Sequence, residues 1–154
     1  MERLRAADVI NLAAEAPGVP MHMTVVAVLD GAPLCDPAGR FRLDAIRRTV
    51  SAGVGSVPRL RQVLHEPGPF AGRPLWVDAA SFDVSKHVGR IVVPAPAGED
   101  ALLELAALVM VRPLDRRRPL WRMVFVTGLA EQRIGLIMRC GRWSRPPLGR
   151  VRRR

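Results

Sequence analysis

Tyrosine is absent from this chain, lysine occurs once, at Lys86, and aromatic residues make up only 5% of 154. Branched aliphatics and alanine must therefore fill the interior. Cysteine is equally sparse. Cys35 and Cys140 stand in no metal-ligand spacing, and two cysteines in a chain of this length make no disulfide framework. A reduced, cytoplasmic setting is the expectation. Only three histidines occur, His22, His65 and His87. None has a second histidine, a carboxylate or a cysteine at dyad or metal-ligand spacing, so no metal is expected. For His22 and His87 a hydrogen-bonded structural role is favoured, with approach to a substrate channel the alternative for His22. Ser51, Ser56, Ser81, Ser85 and Ser144 lie in no nucleophile elbow. The start, Met1-Glu2-Arg3-Leu4-Arg5, is not followed by an apolar core of signal-peptide length. No run approaches the roughly 18 apolar residues of a spanning helix.

What is present suits a folded domain. Apolar residues account for 49% and the mean hydropathy is +0.10, which excludes a disordered chain. A single domain of this length buries about two thirds of its unfolded surface. The net charge of +10 suggests a nucleic-acid partner, but its distribution argues against one. Arginines 139, 142, 145, 150, 152, 153 and 154 fall in the last sixteen residues, which contain no acid; without these seven, residues 1–138 carry only +3. The heavy use of arginine, alanine, proline and glycine matches GC-rich DNA. Residues 1–138 are read as one domain and 139–154 as a basic, disordered tail. Pro146-Pro147, Gly141 and Gly149 prevent a regular basic helix in that tail, and only Trp143 there can stack on a base.

Periodicity places the elements. Val9, Leu12 and Ala13 mark a helix from Ala6 to Ala16, ended by Pro17-Gly18. Met23 to Leu29 reads as a strand, and residues 31–39 as a loop. Leu43, Ile46 and Val50 define a second helix, broken by Gly53 and Gly55. Arg59 to His65 alternates as a strand does, Leu75 to Val77 is a short strand, and Phe82 to Val88 a turn. Arg90 to Val93 is a strand ended by Pro94 and Pro96. Glu99 to Val111 is the clearest helix. Leu102, Leu105, Ala106 and Val109 share one face, and Leu103, Ala107 and Met110 widen it, which predicts contact on more than one side. Leu120 to Thr127 and Arg133 to Met138 are nearly continuous apolar strands, as in sheets buried on both faces. The order implies an α/β layered domain with these two strands central and an edge at Met138 facing missing partners.

Between the last helix and the next strand lies Arg112-Pro113-Leu114-Asp115-Arg116-Arg117-Arg118-Pro119-Leu120-Trp121. Two readings of it stand side by side: an Asp115–Arg116 bidentate pair fixing a turn near an active site, and a structural corner whose Trp121 anchors the next strand. The second is favoured. Pro113, Leu114, Asp115, Arg116, Pro119, Leu120 and Trp121 form the motif.

The segment resembles the Pro-Leu-Asp-Arg…Pro-Leu-Trp stretch of bacterial wax ester synthase/diacylglycerol acyltransferases. The likeness runs over residues 4–138: Leu4…Asp8…Leu12, with Arg5-Ala6 replacing the usual Ser-Pro and so removing an N-cap; Pro20-Met21-His22; Pro58-x-Leu60-Arg61; Pro74-Leu75-Trp76-Val77-Asp78; Phe82-Asp83; His87-Val88; and Gly128-Leu129 with Arg133. The resemblance implies the N-terminal half of a CoA-dependent acyltransferase fold, a chloramphenicol-acetyltransferase-like α/β two-layer sandwich. Condensation domains of peptide synthesis share that fold, but the Pro-Met-His and Pro-Leu-Asp-Arg segments favour the lipid enzymes. Implied substrates are acyl-CoA and diacylglycerol or a fatty alcohol, with no permanently bound cofactor. Peripheral membrane or lipid-droplet contact and a separate C-terminal half are implied partners; nucleic acid is disfavoured. In such enzymes a His-His-x-x-x-Asp-Gly loop follows two strands after the motif, its second His acting as general base. This chain reads Arg139-Cys140-Gly141-Arg142-Trp143-Ser144 there, so no catalytic residue is carried over. A frame change near Met138 is the favoured origin of that departure, and an inactive, truncated chain is the expectation. A non-catalytic module, pairing with a separate half or an anionic surface, is the alternative.

Overall fold

A computed structural model describes residues 2–15, 21–68 and 70–141. Its centre is a four-stranded sheet in the order β2 (His22–Asp30), β7 (Arg133–Gly141), β6 (Trp121–Leu129) and β5 (Val88–Ala97). β7 runs antiparallel to β2 and to β6, while β5 is parallel to β6. The near-continuous apolar runs of β6 and β7 do occupy the middle, as two-sided burial requires. A second sheet, β1 (Glu2–Arg3), β4 (Leu75–Asp78) and β3 (Gln62–His65), lies beside it.

Each face of the central sheet has its own cover. On one, α3 (Glu99–Met110) presses Leu102 and Ala106 onto Val124, Val126 and Ile137. Gly135 permits this approach, because a Cβ there would stand 2.5 Å from Leu102 Cδ1. On the other, α2 (Leu43–Val54) brings Ile46, Val50 and Val54 against Trp121, Phe125 and Ile134. A third cluster, Leu4, Leu64, Trp76 and Leu120, ties the small sheet to α1 (Ala6–Ala13), whose Val9 and Leu12 pack on it. Arg5 at the α1 N-cap makes no side-chain cap, in line with the missing Ser.

Several expectations change. β7 does not stop at Met138 as an edge: it runs to Gly141 and is paired along its length by β2, from Asp30↔Arg133 to His22↔Gly141. The edges are β2 and β5. Pro94 and Pro96 do not end β5. They lie in an edge strand, where the ladder to β6 lapses after Val92 and resumes at Ala97↔Leu129, so neither proline removes a needed hydrogen bond. Residues 58–61 form a 3₁₀ turn started by Pro58, and the strand begins only at Gln62. α2 continues through Gly53. Leu103, Ala107 and Met110, expected to meet a second neighbour, face solvent together with Leu108 and Val111. Pro17-Gly18 lies outside the described residues, as does the basic tail from 142 onward.

Candidate functional site at the end of β7

The corner between α3 and β6 is held at both ends. Pro119, Leu120 and Trp121 are buried. The Trp121 indole N–H donates to the Leu60 carbonyl at 2.8 Å, and its ring stacks on His87 at a centroid distance of 4.5 Å. His87 is 3% exposed, also stacks on Phe82 at a centroid distance of 5.2 Å, and hydrogen-bonds through Nδ1 with the Trp121 carbonyl at 2.9 Å. Burial pushes the His87 pKa below its ordinary 6.5, so the ring is neutral and Nδ1–H is the donor. Pro113 and Leu114 lead out of α3, and Leu114 packs against the Leu4–Leu120 cluster.

Asp115 and Arg116 do not pair with each other. Asp115 accepts from the backbone N–H and the side chain of Arg117, at 3.0 and 3.1 Å, and lies 3.5 Å from Arg118. The Arg117 hydrogen bonds hold its carboxyl below the usual carboxylate range. Arg116 turns the other way, donating to Glu15 at 2.6 Å and Glu66 at 2.8 Å. A side chain two residues along a tight turn reaches the carboxylate more readily than an immediate neighbour pointing away.

Glu15 joins this corner to the end of the sheet. It also lies 3.7 Å from His22 Nε2, while His22 Nδ1 is 3.1 Å from Arg139 Nη2. Burial, then the Arg139 charge, push the His22 pKa down; Glu15 opposes the shift. His22 is thus neutral, with Nδ1 accepting from Arg139. Arg139 is 3% exposed and also donates to the Arg112 and Met110 carbonyls at the C-terminus of α3. Among the described residues its Nε has no partner, nor does the hydroxyl of its cross-strand neighbour Thr24. His22 and Arg116, about ninety residues apart in the chain, thus meet around Glu15 where β7 ends.

The sequence pattern alone hides the role of Arg139. Read as the first tail arginine, it is a core residue of β7, buried against the end of α3. The signal was a basic residue continuing the apolar strand, Ile137-Met138-Arg139, without an intervening turn. His65 is exposed at the end of β3. Among the described residues no group of three or more His, Cys, Asp or Glu side chains is placed to hold a metal ion. A cavity of about 260 Å³ lies under the corner, lined by residues of α3, β6 and β7. A more open one of about 750 Å³ sits at the opposite end of the sheet, around Phe41, Arg90 and Gly128.

Solved structures share this arrangement. A wax ester synthase/diacylglycerol acyltransferase from Marinobacter aquaeolei VT8 superposes with a TM-score of 0.75 over 92% of this chain and 33% of that one, at 20% identity. The starter condensation domain of rhizomide synthetase, solved with C8-CoA, superposes at 0.62 over 91% and 30%, at 16% identity. The fold is that of the N-terminal part of the chloramphenicol-acetyltransferase-like α/β sandwich. At the level of sequence, the profile of the wax ester synthase/diacylglycerol acyltransferase catalytic domain matches residues 4–141. The probable diacylglycerol O-acyltransferase tgs3 of Mycobacterium tuberculosis is 35% identical over 87% of this chain and 48% of its own length. The putative diacylglycerol O-acyltransferase Rv1760 of the same species is 31% identical over 85% and 26%. The chain belongs to the wax ester synthase/diacylglycerol acyltransferase family, and it spans less than half the length of these relatives.

Proposed function

We propose that this chain is the N-terminal part of an acyl-CoA-dependent O-acyltransferase and that it does not turn over alone. The parent reaction passes an acyl group from the CoA thioester to the hydroxyl of diacylglycerol or a long-chain alcohol. A base takes the hydroxyl proton, the oxygen attacks the thioester carbonyl, and CoA leaves as the thiol. The observation that carries the proposal is the meeting of Arg116, Glu15, His22 and Arg139 beside the end of β7. This is where the family's His-His-x-x-x-Asp-Gly loop follows, yet residues 142–154 contain no histidine.

Neither buried histidine replaces that base. Both are pushed below their ordinary pKa, which weakens them as proton acceptors near neutrality. His22 Nδ1 is engaged by Arg139, and His87 Nδ1 by the Trp121 carbonyl. Pro113, Leu114, Asp115, Arg116, Pro119, Leu120 and Trp121 act in this reading as positioning residues that set where β7 releases the chain. A separate C-terminal half beginning at the loop would complete the site. The parent acceptors are lipids, and the outward-facing Leu103 and Leu108 of α3, with Val111 at its C-cap, favour peripheral contact with a membrane or lipid droplet. No helix among the described residues is long and apolar enough to cross a membrane.

Two assays test this. The purified chain, given acyl-CoA and diacylglycerol, should form no triacylglycerol above a heat-killed control; turnover would overturn the inactivity. Co-expressed with a relative's C-terminal half starting at His-His, it should form a complex that makes triacylglycerol or wax ester. A stable complex that makes neither counts against the parent reaction.

A further inference from the structure

The cavity under the corner has an unusual charge. Its walls carry five cationic side chains, Lys86, Arg112, Arg118, Arg122 and Arg139, and one carboxylate, Asp115. That carboxylate is already occupied by Arg117 and Arg118. Arg122 and Arg139 are registered partners across β6 and β7, and like charges directly opposite one another in a sheet repel. The carbonyls at the end of α3 offset Arg139 only in part, since a helix C-terminus carries about half an elementary charge. A guanidinium this deeply buried, with Nε unpaired and a second arginine opposite it, lacks the counter-charge that buried cations ordinarily require.

We propose that this cavity binds a phosphate group, with Arg118, Arg122 and Arg139 donating to its oxygens. Planar guanidinium groups recognise phosphate through paired, charge-assisted hydrogen bonds. A volume of about 260 Å³ leaves room for a pyrophosphate-sized anion. The phosphate could belong to a soluble ester such as coenzyme A, to an anionic lipid headgroup, or to free phosphate; the chemistry is the same. The assignment does not rest on the acyl-transfer reading, because inorganic pyrophosphate alone tests it.

Calorimetric titration of the full chain with inorganic pyrophosphate should give saturable binding. Arg118→Gln with Arg122→Gln, both at exposed positions, should weaken it about tenfold or more, as loss of charge-assisted contacts predicts. Lys86→Gln, at the rim, is the fallback if that pair fails to fold and should weaken it severalfold. Removing equal charge elsewhere, by Arg48→Gln with Arg61→Gln or by Arg152→Gln with Arg153→Gln, should leave the affinity unchanged. Absence of binding, or an equal loss in those control variants, would overturn the site. Displacement of pyrophosphate by coenzyme A, but not by phosphatidic acid vesicles, supports it with a soluble ester as source; the reverse supports it with a lipid headgroup.

Discussion

Arg133 and Arg139 begin and nearly end the same strand, and their surroundings are opposite. Arg133 is exposed and has carboxylates at 3.3 Å, from Glu99, and 2.6 Å, from Glu131. Arg139 is buried and finds only carbonyls, the ring of His22 and an opposing arginine. At the hairpin end charge is matched and solvated, so it contributes little. At the corner end charge is desolvated and held by dipoles, so its surroundings must be rigid. The two ends of β7 thus separate a solvent-facing closure from a polar site built into the core.

The comparison can be broken most forcefully at the corner. Trp121→Ala removes a buried ring stacked on His87 and an indole hydrogen bond to Leu60, and should cost about 3–5 kcal/mol. Trp121→Phe keeps a ring and should cost nearer 1 kcal/mol beyond the change of shape. Urea denaturation of the full chain measures both; equal losses would show that the ring itself is not what anchors the corner.

At the hairpin end the largest sensitivity lies in backbone and not in charge. Gly128 has φ of 105°, and a Cβ there would come 2.1 Å from the Val93 carbonyl oxygen. Gly128→Ala should therefore destabilise by about 2–3 kcal/mol. A thermal midpoint within a degree of the parent would contradict the close approach.

Acid should act on the corner end first. His22 and His87 both have folded pKa values below their ordinary 6.5. Below that value the unfolded chain takes up protons that the folded chain resists. Stability is therefore full above pH 6.5 and declines as pH falls through the interval down to the folded values. The slope is at most about 1.4 kcal/mol per pH unit for each histidine. His22→Gln should flatten that decline below pH 6.5; an unchanged slope would remove His22 from the effect. The smallest change belongs to the hairpin ion pairs. Glu99→Gln and Glu131→Gln should each shift stability by no more than about 0.5 kcal/mol, and less in high salt. A larger loss would erase the contrast between the two arginines.

Much of this frame is readable along the chain. α3 shows a helical stripe in Leu102, Leu105, Ala106 and Val109, and β6 and β7 show unbroken apolar runs. Both signals come from periods that local backbone geometry imposes. The resemblance carried by Pro113 to Trp121 likewise survives in a match over residues 4–141. The errors have a common source. Pro94 signals a strand end, which holds for a central strand and not for the edge that β5 proves to be. At Asp115 the favoured corner reading holds, and the alternative pairing with Arg116 fails because Arg116 is drawn away to Glu15 and Glu66 on elements distant in sequence. The charge of Arg139 groups it with the tail, although its position continues an apolar strand.

By itself the sequence determined the family, the order of helices and strands, and the lack of a His-His pair. Those properties reside in residue identity and local periodicity. Tertiary structure decided that β2 covers β7, that His22 and Arg116 meet around Glu15, and that Arg139 is buried beside Arg122. These depend on which distant surfaces pack together, and the free energy of a charge is set by the solvent and partners that packing leaves it.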